Sequence, residues 1–166
     1  GGYGRGEMAP FSDVDILFLT PYKTTPWTEN VIESMLYILW DLKLQIGHAT
    51  RSIDECILLG QKDFTIRTSL LETRPICGDK NLGNELTTRL WNELFQSSTT
   101  EFITAKLKER ATRHKKHGEN RYLLEPNIKE GKGGLRDLQS LFWIAKYIHH
   151  VEKPLELIQK GVFNDQ

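Results

Sequence analysis

Apolar and polar positions follow a strand period early in this chain and a helix period later. The run VDILFLT, from Val14 to Thr20, is apolar at almost every position, which predicts a largely buried strand. TPYKTTPWTE, from Thr20 to Glu29, carries two prolines and reads as a turn-rich connection. Val31, Met35, Leu36, Leu39 and Leu42 then recur at helical spacing, predicting an amphipathic helix over about 28–43. LQIGHATR, from Leu44 to Arg51, is a short second strand. Ser52 with Glu55 three residues on is a capping box, so a short helix follows.

From Asp63 the pattern is helical almost to the end. Asp63 caps a helix running to Arg74, closed by Pro75 and Gly78. Leu82–Phe95 and Thr100–Lys116 read as two more helices, the second ending in the basic turn RHKKHG, which suits a helix C-terminus. A loop, ENRYLLEPNIKEGKGG, leads into a helix over Leu135–His150, with Leu138, Leu141, Phe142, Ala145 and Ile148 as its expected buried stripe. Strands early and helices late predict an α+β fold: a small sheet with helices over 1–78, then an all-α helical unit over 79–166.

Composition narrows the partners. The chain has 166 residues, enough to bury a core. Its 22 basic and 22 acidic residues cancel, so no global field points to nucleic acid or to an acidic membrane. No apolar run approaches the roughly 20 residues that span a bilayer. The chain opens without Met, inside a glycine stretch, and reads as a fragment. Cys56 and Cys77 match no metal spacing; a reduced pair of buried thiols in the cytoplasm is the simpler reading. Trp40, Trp91 and Trp143 fall on apolar helix faces and are expected in the core. His48, on the second strand, reads as a neutral structural histidine.

The chemistry concentrates in GGYGRGEMAPFSDVDILFL. Alternate strand residues share a face, so Asp13 and Asp15 project side by side. Two such charges repel unless a cation lies between them, and hard oxygen ligands select Mg²⁺ or Mn²⁺. Such a pair suits the metal-assisted transfer of a phosphoryl or nucleotidyl group. Gly1 and Gly2, lacking Cβ, let backbone N–H groups approach a phosphate, and Arg5 and Ser12 can add side-chain donors. A solvated strand start beside an ordinary glycine turn is the plainer alternative.

Gly-Gly, a ten-residue spacer and Asp-Val-Asp resemble the polymerase-beta-like nucleotidyltransferase superfamily. A closer likeness lies within it. GGYGRGEMAPFSDVDILFL, LWDLKLQIGHATRSIDEC, DFTIRTSLLETRPICGD and LEPNIKEGKGGLRDLQSLFWIAKY resemble, in that order, the bacterial protein-PII uridylyltransferase family of bifunctional nitrogen sensors. The likeness runs from Gly1 to about Tyr147. The glutamine-synthetase adenylyltransferases share only the Gly-Gly…Asp-x-Asp and GGLRD-type blocks.

The resemblance implies a polymerase-beta-like sheet and a reaction: UTP and a tyrosine hydroxyl of the PII protein give PII-UMP and pyrophosphate. It implies that Gly1 and Gly2 hold the triphosphate and that Asp13 and Asp15 hold Mg²⁺. The superfamily usually adds a third carboxylate from a later strand, yet KLQIGHATR contains no acid, and Gln45 and Ala49 stand where one is expected. Asp63 is the favoured catalytic substitute, with a simple helix cap as its other reading. The family's phosphohydrolase and glutamine-sensing domains have no counterpart in these residues, so the transferase half is the most they carry.

EPNIKEGKGGLRD is a second candidate. Its three glycines with Lys129, Lys132 and Arg136 form a cationic turn before a helix N-terminus, an anion site that suits nucleotide phosphates. The alternative is a structural turn in which Asp137 favours the helix dipole and Arg136 pairs with a nearby acid. Two other functions stay open: adenylyl transfer to a protein such as glutamine synthetase, and a non-catalytic nucleotide-binding module.

Overall fold

The computed structural model describes residues 2–8, 10–117, 127–151 and 154–162. The architecture is α+β, as the periodicity predicts. Among the described residues the sheet has two parallel strands, β1 (Val14–Thr20) and β2 (Ile46–Ser52), with Val14 opposite Ile46 and Thr20 opposite Ser52. A short helical turn, α1 (Gly2–Arg5), precedes them. Parallel strands need a crossover, and α2 (Pro26–Asp41) supplies it.

Local chemistry sets these boundaries. Thr25 accepts a hydrogen bond from the Thr28 N–H at 3.3 Å, and Pro26 occupies the first helical position, where its missing N–H costs nothing. The helix therefore starts two residues before the expected start. Lys43, at a φ of 61°, turns the chain out of α2 toward β2. Ile32 and Leu36 are the buried residues of α2, and Trp40 meets the His48 ring edge-on at 6.2 Å. Trp40 is 41% exposed, not core as expected, because it lies along the margin of α2 beside exposed His48. The strand expected to be largely buried is only half so: Val14 and Thr20 are buried, Ile16 to Leu19 are intermediate and Asp15 is exposed.

The capping box forms as read. Ser52 Oγ accepts from the Glu55 N–H at 3.3 Å, and Glu55 Oε2 accepts from the Ser52 N–H at 2.8 Å, opening α3 (Ile53–Lys62). Asp63 ends α3 and caps α4 (Phe64–Leu71). Arg67 locks this corner. Its side chain is buried, with Nε donating to the Gly60 carbonyl at 2.7 Å and Nη2 to the Gln61 carbonyl at 2.9 Å. A cation on the last carbonyls of α3 satisfies groups that a helix end otherwise leaves open. Gly60 gives Leu94 and Leu70 room: a Cβ there would come 2.7 Å from Leu94 Cδ2 and 3.2 Å from Leu70 Cδ1. Cys56 is fully buried, and burial pushes its thiol up to about 11. Cys77 is exposed, against expectation, because it follows Pro75 in the open turn beyond α4.

α5 (Lys80–Arg89) runs on through a π-helical turn, Leu90–Phe95, and a 3-10 turn, Gln96–Ser98, into α6 (Thr99–His117). The chain divides into two compact units, Gly1–Leu94 and Phe95–Gln166. The second contains α6, α7 (Leu135–His149) and α8 (Pro154–Gln159). Tyr147 is at its centre, stacked on Phe102 at 4.1 Å, tilted against Phe95 at 5.2 Å and hydrogen-bonded to Ser98 at 2.7 Å.

The buried face of α7 keeps Ala145 and the half-buried Phe142 of the expected stripe but not its other members. Ser140, Trp143, Ala145 and Tyr147 are buried, whereas Leu138, Leu141 and Ile148 are exposed. Aromatic side chains bury more area than leucine, and they find Phe102 and Lys106 of α6 as partners. The Lys106 ammonium sits 4.9 Å from the Trp143 ring centre.

Candidate functional site

The glycine turn is built against the segment after α4. Glu7 N–H donates to the Gly2 carbonyl at 2.9 Å, and Gly6 takes a φ of 76°. A Cβ on Gly4 would collide with the Glu72 carbonyl. Arg5 Nη1 donates to Glu72 Oε1 at 2.6 Å, and Arg74 Nη2 donates to the Tyr3 carbonyl at 3.1 Å while lying over the Tyr3 ring. Arg5, expected as a phosphate donor, is thus engaged with a buried carboxylate. Gly1 lies outside the described residues.

The chain then reaches the sheet. Phe11 is 97% exposed in the left-handed region, and Ser12 is half-buried. Val14 N–H donates to the Gln45 carbonyl at 2.8 Å, which starts β1 with Asp13 just outside it. Asp13 and Asp15 are both exposed, while Val14 between them is buried. Register puts Gly47 of β2 directly beside Asp15. A Cβ on Gly47 would come 2.8 Å from Asp15 Oδ1. This neighbour escaped sequence reasoning, which looked to the second strand for an acid. The signal available was a glycine inside a strand pattern.

Asp63 serves as a cap. Its Oδ1 accepts from Thr65 N–H at 2.6 Å and Ile66 N–H at 3.2 Å. Those two bonds, Ile66 first, hold its carboxyl below the usual range, with the Arg51 charge adding to them. Arg51 is paired with Leu19, four residues from Asp15, about 13 Å along the sheet at a strand's rise. Among the described residues, no group of three or more His, Cys, Asp or Glu is gathered to hold a metal. Of the two roles open to Asp63, the cap is the one observed.

In the second unit the EPNIKEGKGGLRD turn is described from Asn127 onward; its first residues lie outside the described range. Asn127 Oδ1 accepts from the Lys129 and Glu130 N–H groups at 3.1 and 2.9 Å. Gly131, Gly134, Leu135 and Arg136 donate to carbonyls within the same turn, and Gly133 N–H donates to Asp137 Oδ2 at 2.8 Å. These amides are taken up internally. Arg136 faces Glu130 at 3.6 Å and donates to Gln139 at 3.2 Å; Lys129 is exposed. Asp137 gathers Arg113 at 2.6 Å and His114 at 2.8 Å from α6. Burial raises its carboxyl, but the Gly133 N–H, Arg113 and His114 outweigh that and hold it down to about 2. The turn has the form of the structural alternative.

Similarity to known proteins extends over nearly the whole chain. The family model for GlnD PII-uridylyltransferase matches residues 101–166. A bifunctional uridylyltransferase/uridylyl-removing enzyme of Ruegeria pomeroyi is 63% identical over 163 residues, covering 98% of this chain and 18% of that protein. Those of Cereibacter sphaeroides and Caulobacter vibrioides, under the same name, are 60% and 54% identical, covering 98% and 99% of this chain and 17% of each relative. No solved structure matches. By sequence the chain is therefore a relative of bacterial transferases of the PII-uridylyltransferase family along nearly its whole length. It spans about a fifth of the length of the curated relatives it matches. Among the described residues, no helix is long and apolar enough to cross a membrane.

Proposed function

We propose that this chain carries the nucleotidyl-transfer site of a uridylyltransferase/uridylyl-removing enzyme. The reaction is UMP transfer from UTP to a tyrosine of the PII protein, with release of pyrophosphate. The observation that carries this reading is the pair of exposed carboxylates, Asp13 and Asp15, at the opening of a strand whose other residues are buried or half-buried. The names of relatives at 54–63% identity support the reaction class.

The donor set suits a hard divalent cation: two carboxylates, solvent-open, with bare backbone beside Asp15. Asp13 and Asp15 would hold Mg²⁺, with Mn²⁺ as a substitute. Bound there, such an ion neutralises phosphate charge. The chain's own contribution is position. β1 sets Asp15 beside Gly47, and Asp13 immediately precedes the strand. The pairing of Arg5 with Glu72 holds the glycine turn, and Gly2 with it, next to the segment that follows α4. Ser12 precedes Asp13 and is available as a donor toward a bound phosphate. Within the second unit Lys129 is exposed, and Arg136 faces Glu130 in its own turn.

The test uses an intact enzyme that contains this segment, incubated with labelled UTP, Mg²⁺ and PII protein. Asp13→Asn combined with Asp15→Asn is expected to abolish labelling of PII. Labelling at the parent rate would overturn the reading, and a clear preference for ATP in competition would replace uridylyl by adenylyl transfer.

A further inference from the structure

Gly47 is a glycine that its own backbone does not explain. It lies inside β2, paired with Asp15, and is not among the positive-φ glycines Gly6, Gly78, Gly133 and Gly161. It is exposed, so burial does not exclude a side chain. Strand propensity favours a β-branched or aromatic residue there, and glycine weakens a strand interior. The heavy atoms a Cβ would approach within 4 Å belong to one residue: Asp15 Oδ1 at 2.8 Å and Asp15 Cγ at 3.9 Å.

We propose that Gly47 is a positioning residue for Asp15: the bare backbone at 47 seats the Asp15 carboxylate and so sets the divalent-cation affinity of the Asp13–Asp15 pair. The proposal rests on the metal-binding reading above. Any side chain at 47 drives the carboxylate off its seat, since carbon and oxygen do not pack at 2.8 Å. A metal-binding carboxylate tolerates displacements of only about 0.5 Å before the site's geometry degrades.

The experiment titrates Mn²⁺ into the intact enzyme by electron paramagnetic resonance, defining the site as the Mn²⁺ lost in Asp13→Asn/Asp15→Asn. Gly47→Ala is expected to weaken that site about tenfold to a hundredfold, as changes to residues supporting a metal ligand do. Its melting temperature should stay at the parent value, and labelling should recover at high Mg²⁺. In an Asp15→Asn background, Gly47→Ala should have no further effect on Mn²⁺ affinity. Parent-like Mn²⁺ affinity in Gly47→Ala overturns the proposal while leaving the metal reading intact. A loss equal in both backgrounds, or one that follows a fallen melting temperature, overturns it too. If Asp13→Asn/Asp15→Asn loses no Mn²⁺, the metal reading itself fails.

Discussion

Arg5 and Glu72 form a 2.6 Å ion pair across 67 residues of chain, with Glu72 only 2% exposed at its side chain. The pair joins the glycine turn to the end of α4, and two further contacts, Arg74 to Tyr3 and Gly4 to the Glu72 backbone, reinforce the same seam. Removing Arg5 takes a short charge-assisted hydrogen bond away from a carboxylate that stays buried. Arg5→Ala is therefore expected to lower stability by about 3 kcal/mol, read as a shifted urea midpoint. An unchanged midpoint would show that the turn does not depend on this pair.

Asp137 ties the second unit together, and its titration gives a signed pH dependence. Its folded carboxyl is held near 2, below its ordinary value of 3.8. A depressed carboxylate contributes stability that is complete above the unfolded value and is lost as pH falls through the folded one. Acid unfolding of the second unit should therefore steepen between about pH 4 and pH 2. In Asp137→Asn that added slope should vanish, with lower stability at pH 7 because Arg113 and His114 lose their shared partner. Circular dichroism against pH checks both.

Asp63 separates capping from catalysis. Asparagine keeps an oxygen that accepts from Thr65 and Ile66, whereas alanine does not. Asp63→Ala is expected to cost about 1 kcal/mol and Asp63→Asn much less. Asp63→Asn should also leave PII labelling near the parent rate. A folded Asp63→Asn enzyme that has lost labelling would give the acid a chemical role.

At Gly60 two effects oppose each other. Alanine inside a helix gains up to about 1 kcal/mol over glycine, but its methyl would press on Leu94 and Leu70, both buried. Overpacking costs about 1–3 kcal/mol. Gly60→Ala should therefore destabilise the first unit. A rise in its melting temperature would mean that the two leucines yield freely.

Most element starts were legible in the sequence. The Ser52–Glu55 box and the Asp63 cap were read from residue types alone, because their partners lie within three residues. The faces of helices were less legible. Leu138, Leu141 and Ile148 have helical spacing, yet α7 turns Trp143 and Tyr147 inward because Lys106 and Phe102 of α6 are there to receive them. The acids Asp13 and Asp15 stood out as a pair, whereas Glu72 and Arg67 carried no local mark and Gly47 only that of a glycine inside a strand pattern.

By itself the sequence determined the α+β order, the helix caps, the paired acids and the kinship, all carried by residues near one another in the chain. Tertiary structure alone decided that Arg5 turns to Glu72, that the amides of the glycine-rich turn bond among themselves, and that Asp15 lies over Gly47. Each is a contact between groups far apart in sequence or a choice among competing partners, and distance and burial settle such choices only once the chain has folded.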